Sequence, residues 1–174
     1  HKYENGRALT HSEEAEFLQV SAKCPLALLF RFYLLTGARP SEPLRVKWED
    51  VSPDMLRIRG TKTTGSDRSI PISEDLRGLL DEIPRTDELL FPYTYGNVLR
   101  YFNRFRSSLS FEMTIKDLRH TFGTRCVEAG VSMKTVQKWM GHSKIETTAQ
   151  YYTHILSEFE RSEVERLNVR KTTD

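Results

Sequence analysis

Arg39 in the string TGARPSE, Arg119 in KDLRHTF, His142 in MGHS, and the pair Tyr151-Tyr152 just ahead of Thr153-His154 are the residues of this chain best suited to chemistry. In this order they describe a site that grips a phosphate and attacks it with a phenol. A guanidinium meets phosphate oxygens with paired, planar hydrogen bonds and stays charged at any working pH. A tyrosine nucleophile forms a covalent phosphoester, which splits one hard displacement into two easier ones. Each residue alone has an ordinary structural explanation. Arg39 can pair with Glu42 in its turn, and His142 can meet the last carbonyls of the helix that Gly141 stops. Lys116-x-x-Arg119 can be a solvated helix face, and His120 a hydrogen-bonded structural histidine. A local Arg39–Glu42 pair is also compatible with function, because a carboxylate behind a guanidinium orients it and leaves its other edge for phosphate.

The elements that must position these residues are helical for the most part. Thr10-x-x-Glu13 is a capping box opening a helix to about Ala22. Pro25 suits the first turn of a second helix and Gly37 its C-terminal stop. That helix is apolar nearly all round, which predicts a central, buried position. Arg39 follows its end directly, and a short helix is expected over Ser41 to Val46. Met55–Arg59 and Arg68–Ile72 read as an antiparallel hairpin with a long polar tip carrying Lys62. Ser73 caps a helix ending near Ile83, and 97–109 is helical in pattern. Thr114 caps a helix to Ala129 that buries Leu118, Phe122 and Cys126, with Lys116 and Arg119 together on the opposite face. Ser132 caps a shorter helix to Met140. A last amphipathic helix is expected from about Ile155 to Leu167. The expectation is a mainly α domain with one small antiparallel β-sheet, an α+β fold.

Composition narrows the classes. A chain of 174 residues fits one domain, read here as a linker over 1–9, a catalytic domain over 10–170 and a polar tail over 171–174. Net charge is +2, which permits nucleic-acid binding only if basic groups gather on one face. The richest apolar stretch, Pro25 to Leu35, is interrupted by Arg31 and is too short to span a bilayer. The N-terminus HKYENGRALT lacks an apolar signal region. Cys24 and Cys126 show no metal spacing and read as buried thiols, so the chain is expected in the cytoplasm.

The strings TGARPSEPLRVKWEDV, TKTTGSDRSIPI, KDLRHTFGTRCVEAG and VQKWMGHSKIETTAQYYTH, in that order, resemble the tyrosine recombinase (phage-type integrase) family over about residues 10 to 160. The resemblance implies that Arg39 and Arg119 clamp the phosphate, that Lys62 is the hairpin lysine and that His142 is the histidine after glycine. It implies Tyr152 as nucleophile through the Tyr-x-His string Tyr152-Thr153-His154, whereas a shorter count from His142 selects Tyr151. The family's His-x-x-Arg begins here with Lys116. With an ordinary pKa of about 10.4, a lysine can bind phosphate but shuttles protons poorly at neutral pH.

The implied reaction is attack by the phenolic oxygen on a phosphodiester of duplex DNA, leaving a 3′-phosphotyrosyl bond and a free 5′-hydroxyl. Lys62 would protonate the departing oxygen. No metal or other cofactor is expected, since arginines supply the charge and no carboxylate cluster is evident. Partners implied are double-stranded DNA at attachment or recombination sites and, on DNA, a homotetramer of a protein that is monomeric when free. The 155–167 helix would dock on a neighbouring protomer, as the resemblance implies, or pack in cis against its own domain. Relatives carry an N-terminal DNA-binding domain, expected here upstream of residue 10 in a longer protein. Two other readings compete: a non-catalytic helix-turn-helix module built on residues 130–141, and a type IB topoisomerase.

Overall fold

The computed structural model describes residues 6–60 and 67–152. Helix α1 (His11–Ser21) starts at the expected capping box, in which Thr10 accepts from the Glu13 amide and Glu13 accepts from the Thr10 amide. Helix α2 (Ala27–Thr36) ends at Gly37, whose φ of 61° is the left-handed cap that ordinarily takes glycine. α2 is the central element, with Leu29, Phe30, Phe32 and Tyr33 all buried. It packs against α1, α3 (Glu74–Glu82) and α5 (Ile115–Glu128). Phe17, Phe30, Phe102 and Phe105 form an aromatic cluster joining α1, α2 and α4 (Tyr95–Arg106).

The hairpin is present as β1 (Met55–Ile58) and β2 (Arg68–Pro71), antiparallel, with Ile58 opposite Arg68. Leu56, Ile58 and Ile70 point into the core. The short helix expected after Arg39 is a single 3₁₀ turn, Pro43–Arg45. The stretch expected to be a linker differs at its end: Leu9 is buried and residues 7–9 dock on α5. The Arg7 amide donates to Asp117 Oδ1 at 2.8 Å, the Leu9 amide to Thr121 Oγ1 at 2.9 Å, and Arg125 to the Leu9 carbonyl at 2.9 Å.

A second, smaller apolar cluster lies beside the main core. It joins Cys126 and Val127 of α5, Val136 and Met140 of α6 (Met133–Met140), and Tyr151 of α7 (Ile145–Tyr152), with Trp139 packed against both clusters. The patterning did not predict α7. It decides where each tyrosine points, because successive helical residues diverge by about 100°. The expected helix over 155–167, the Lys62 hairpin tip and the 171–174 tail lie outside the described residues. Among the described residues no helix is long and apolar enough to cross a membrane.

Candidate active site

The site is built around the C-terminal end of α6. A helix end leaves its last carbonyls without intrahelical donors and carries partial negative charge. Here three arginines from three different elements supply the donors. Arg68 Nε donates to the Trp139 carbonyl at 2.6 Å, Arg119 Nη2 to Met140 at 2.6 Å, and Arg39 Nη2 to Gly141 at 2.8 Å. Gly141 makes this exit possible with a φ of 63°. Arg119 Nη1 also donates to the Gly37 carbonyl at 2.5 Å, so one guanidinium ties the ends of α2 and α6 together.

Glu42 is fully buried at the centre of this group. Its Oε1 accepts from Arg39 Nη1 at 2.9 Å and its Oε2 from the Arg39 amide at 2.6 Å. The local pair read from the sequence therefore forms. Burial pushes the Glu42 carboxyl up, but the hydrogen bonds and charges of Arg68 and Arg39 outweigh it and hold the pKa below the usual carboxylate value. Arg39 and Arg119 each commit two of the five N–H donors a guanidinium carries to these contacts, and donors remain on both for a ligand.

His142 follows Gly141, and its Nδ1 lies 2.9 Å from Thr148 Oγ1. Tyr151, one turn beyond Thr148 on α7, stacks on the His142 ring at 6.1 Å and 8°, and lies 5.3 Å from the His120 ring. Arg39, Arg119, His142 and Tyr151 line one cleft of about 560 Å³, together with His120 and residues of α7. Burial, then the charges of Arg119, Arg39 and Arg68, lowers the His142 pKa to about 4, so the ring is neutral at neutral pH. Burial and the neighbouring arginines lower Arg119 to about 10, still charged at neutral pH. Burial raises the Tyr151 phenol, and the Arg119 charge opposes that rise. Such a cleft can hold a phosphodiester between two fixed cations with a phenol beside it.

The other sequence-predicted residues fall differently. Tyr152 is not brought to the cleft: its hydroxyl donates to the Val131 carbonyl at 2.5 Å, on the side of α7 that packs on the α5–α6 turn. The physical reason is the helical turn between neighbours, which puts only Tyr151 on the face shared with Thr148. Lys116 is exposed and does not line the cleft, although it lies one turn before Arg119. Arg119, placed by the sequence on a face that could be solvated, is half-buried, with two carbonyls holding it inward. Lys62 lies outside the described residues. The residue missed is Arg68, which begins a strand and looks like an ordinary edge charge in the sequence; only its burial identifies it. Among the described residues no group of three or more His, Cys, Asp or Glu side chains could hold a metal ion.

Residues 7–158 match the model of the phage integrase family. The chain is 30% identical over 162 residues to the tyrosine recombinase XerA of Saccharolobus solfataricus, covering 90% of this chain and 55% of that one. The fold is that of the XerA recombinase crystal structure, with a TM-score of 0.75 at 19% identity over 90% of this chain and 64% of that one. Lambda integrase, solved as a dimer bound to a COC′ core site, gives a TM-score of 0.71 at 28% identity over 83% of this chain and 58% of that one. The chain thus spans less than two thirds of each of these relatives.

Proposed function

Since this chain belongs to the phage integrase family of tyrosine recombinases, we propose that it cleaves and rejoins duplex DNA through a covalent 3′-phosphotyrosyl intermediate, with Tyr151 as the nucleophile. The observation that carries the proposal is the convergence of Arg39, Arg119, His142 and Tyr151 on one cleft. The Tyr151 oxygen releases its proton to solvent as it attacks the scissile phosphorus, and the bond to the 5′-oxygen breaks. Arg39 and Arg119 stabilise the charge that develops on the non-bridging oxygens, in a site where they are already fixed and need little reorganisation. With the ring neutral and Nδ1 accepting from the Thr148 hydroxyl, His142 presents Nε2–H as a further donor to the phosphate. Lys62 is proposed to protonate the leaving 5′-oxygen, and Lys116 to contact the DNA backbone without a part in proton transfer. Reversal by a 5′-hydroxyl of another strand rejoins the DNA without an external energy source.

DNA at a recombination site and assembly of protomers on it are part of the same proposal, and lambda integrase bound as a dimer to its core site supports it. Integration or excision of a mobile element and recombination of a chromosome use the same chemistry. Both kinds of relative are present, a phage P2 integrase and the XerA proteins.

A duplex nicked beside the scissile phosphate traps the covalent complex, because the short 5′-hydroxyl product diffuses away. Wild-type protein and Tyr152→Phe should form the adduct, and peptide mapping should place it on Tyr151. Tyr151→Phe, which has no oxygen to form the bond, should abolish it, and Arg39→Ala and Arg119→Ala should each reduce it by about 10²- to 10³-fold, the scale of losing one fixed charge-stabilising donor. An adduct on Tyr152 would overturn the nucleophile assignment, and none on either tyrosine would sink the enzymatic reading.

A further inference from the structure

Arg68 does not line the cleft, yet it touches several of the groups that shape it. Its side chain is 4% exposed, and it grips Glu42 with both terminal nitrogens, Nη1 to Oε1 at 3.0 Å and Nη2 to Oε2 at 2.8 Å. Its Nε holds the Trp139 carbonyl, and its Cδ lies where a side chain on Gly141 would begin, 3.0 Å from an ideal Cβ. We propose that Arg68 is a positioning residue for strand cleavage. Through Glu42 it orients Arg39 and leaves that guanidinium's charge available to phosphate, and through Trp139 it places the Gly141–His142 turn. This rests on the reading of the cleft as a phosphodiester-cleaving site.

Two guanidiniums share one buried carboxylate, so the group carries a surplus positive charge. Arg68 contributes a planar fork to Glu42, and Arg39 contributes one terminal nitrogen and its backbone amide. Without Arg68, Glu42 would be left buried with Arg39 as its single cation, and the pair would be neutral. Arg39 would then turn toward the carboxylate, the stronger partner in a low-dielectric setting. Lysine cannot substitute in full, because a single ammonium cannot span both Glu42 oxygens in a planar fork and the Trp139 carbonyl together.

Two substitutions test this, Arg68→Lys, which keeps the charge, and Arg68→Met, which keeps the stem, each checked for folding by circular dichroism. Cleavage is measured on the nicked duplex with an ordinary scissile phosphate and with a neutral methylphosphonate there. The methylphosphonate has one fewer anionic oxygen for the clamp to neutralise. On the phosphodiester Arg68→Met should be slower by roughly 10- to 100-fold, the scale of a small misplacement of a catalytic group, and Arg68→Lys, which keeps the charge but not the planar fork, should be slower by less. On the methylphosphonate the deficit should shrink to a few-fold. A substitution that only loosens the fold slows both substrates equally, and that result, or no loss at all, would overturn the proposal. A second readout needs no activity: the Arg39 and His142 amides should exchange hydrogen at least about 10-fold faster in Arg68→Lys, after correction for global stability. Unchanged exchange at both would also overturn it. If wild-type protein traps no adduct, the functional reading fails by itself, and the exchange data still decide whether Arg68 positions Arg39 and the turn.

Discussion

His142 illustrates how one side chain acquires a property its residue type does not carry. A free imidazole titrates near about 6.5. Here desolvation in the seam between α6 and α7, then three arginines, bring it to about 4. The folded protein thus binds this proton less readily than the unfolded chain does. His142 contributes stability that is fully present above the unfolded value of about 6.5 and is lost as pH falls through that value toward 4. In a pH series by NMR, the His142 ring should titrate well below 6, and Arg119→Gln should raise that value without restoring 6.5, since burial is the larger cause. A ring titrating at its ordinary value in wild-type protein would mean that neither burial nor the arginines depress it. That Arg39, Arg119 and His142 are residue types suited to phosphate was legible in the sequence, and the fold brings them to one cleft. The pKa values were not legible there, because they depend on what each group is buried against.

At the scale of elements, the decisive contact is α7 against α5. Gly123 sits inside α5, where glycine costs roughly 1 kcal/mol relative to alanine. An ideal Cβ there would lie 2.8 Å from Cε1 and 2.9 Å from Cδ1 of the Tyr151 ring, and 3.0 Å from Met140 Sδ. The glycine is what lets the tyrosine lie flat in the seam. Gly123→Ala should therefore gain helix propensity in α5 yet shift the Tyr151 ring and reduce adduct formation by at least about 10-fold, a misplacement effect of the kind that costs enzymes much more than stability. Trapping that proceeds at the wild-type rate would mean the ring can give way without penalty. Gly37 and Gly141 act differently: both hold left-handed caps, and both give the arginines a carbonyl within reach. Helix starts at Thr10, Ser73 and Ser132, and stops at Gly37 and Gly141, were readable because capping is local chemistry. α7 was not readable, since Ile145 to Tyr152 carries no comparable stop and only packing on α5 and α6 assigns its face.

For the molecule as a whole, the balance of charge limits how the proposed binding to DNA could arise. With 26 basic and 24 acidic residues, affinity must come from cations gathered at the cleft and not from a general positive field. Several acidic side chains are moreover taken up by arginines elsewhere, as in Arg7–Glu13, Arg59–Asp50 and Arg125–Glu14. Binding of residues 1–174 to duplex DNA should be weak and fall steeply with salt, with a log–log slope of about −3 or steeper, as expected for several phosphate contacts. Fluorescence anisotropy across a salt series measures this. Tight binding that ignores salt would contradict a phosphate-dominated interface.

Local signals in the chain already specify the α+β class, the caps and stops of most helices, the hairpin and an ordered set of residue types suited to phosphate. These are properties of short stretches: capping oxygens, left-handed glycines, apolar periodicity and the chemistry of each side chain. The tertiary structure alone decided which tyrosine faces the cleft, that Arg119 is drawn inward by the Gly37 and Met140 carbonyls, and that Arg68 stands behind Arg39. Each of these depends on groups far apart in the chain, such as Glu42 with Arg68 and Arg39 with Gly141. A motif count treats Tyr151 and Tyr152 as near equivalents, but a helix separates them by about 100°, and packing on Gly123 selects one.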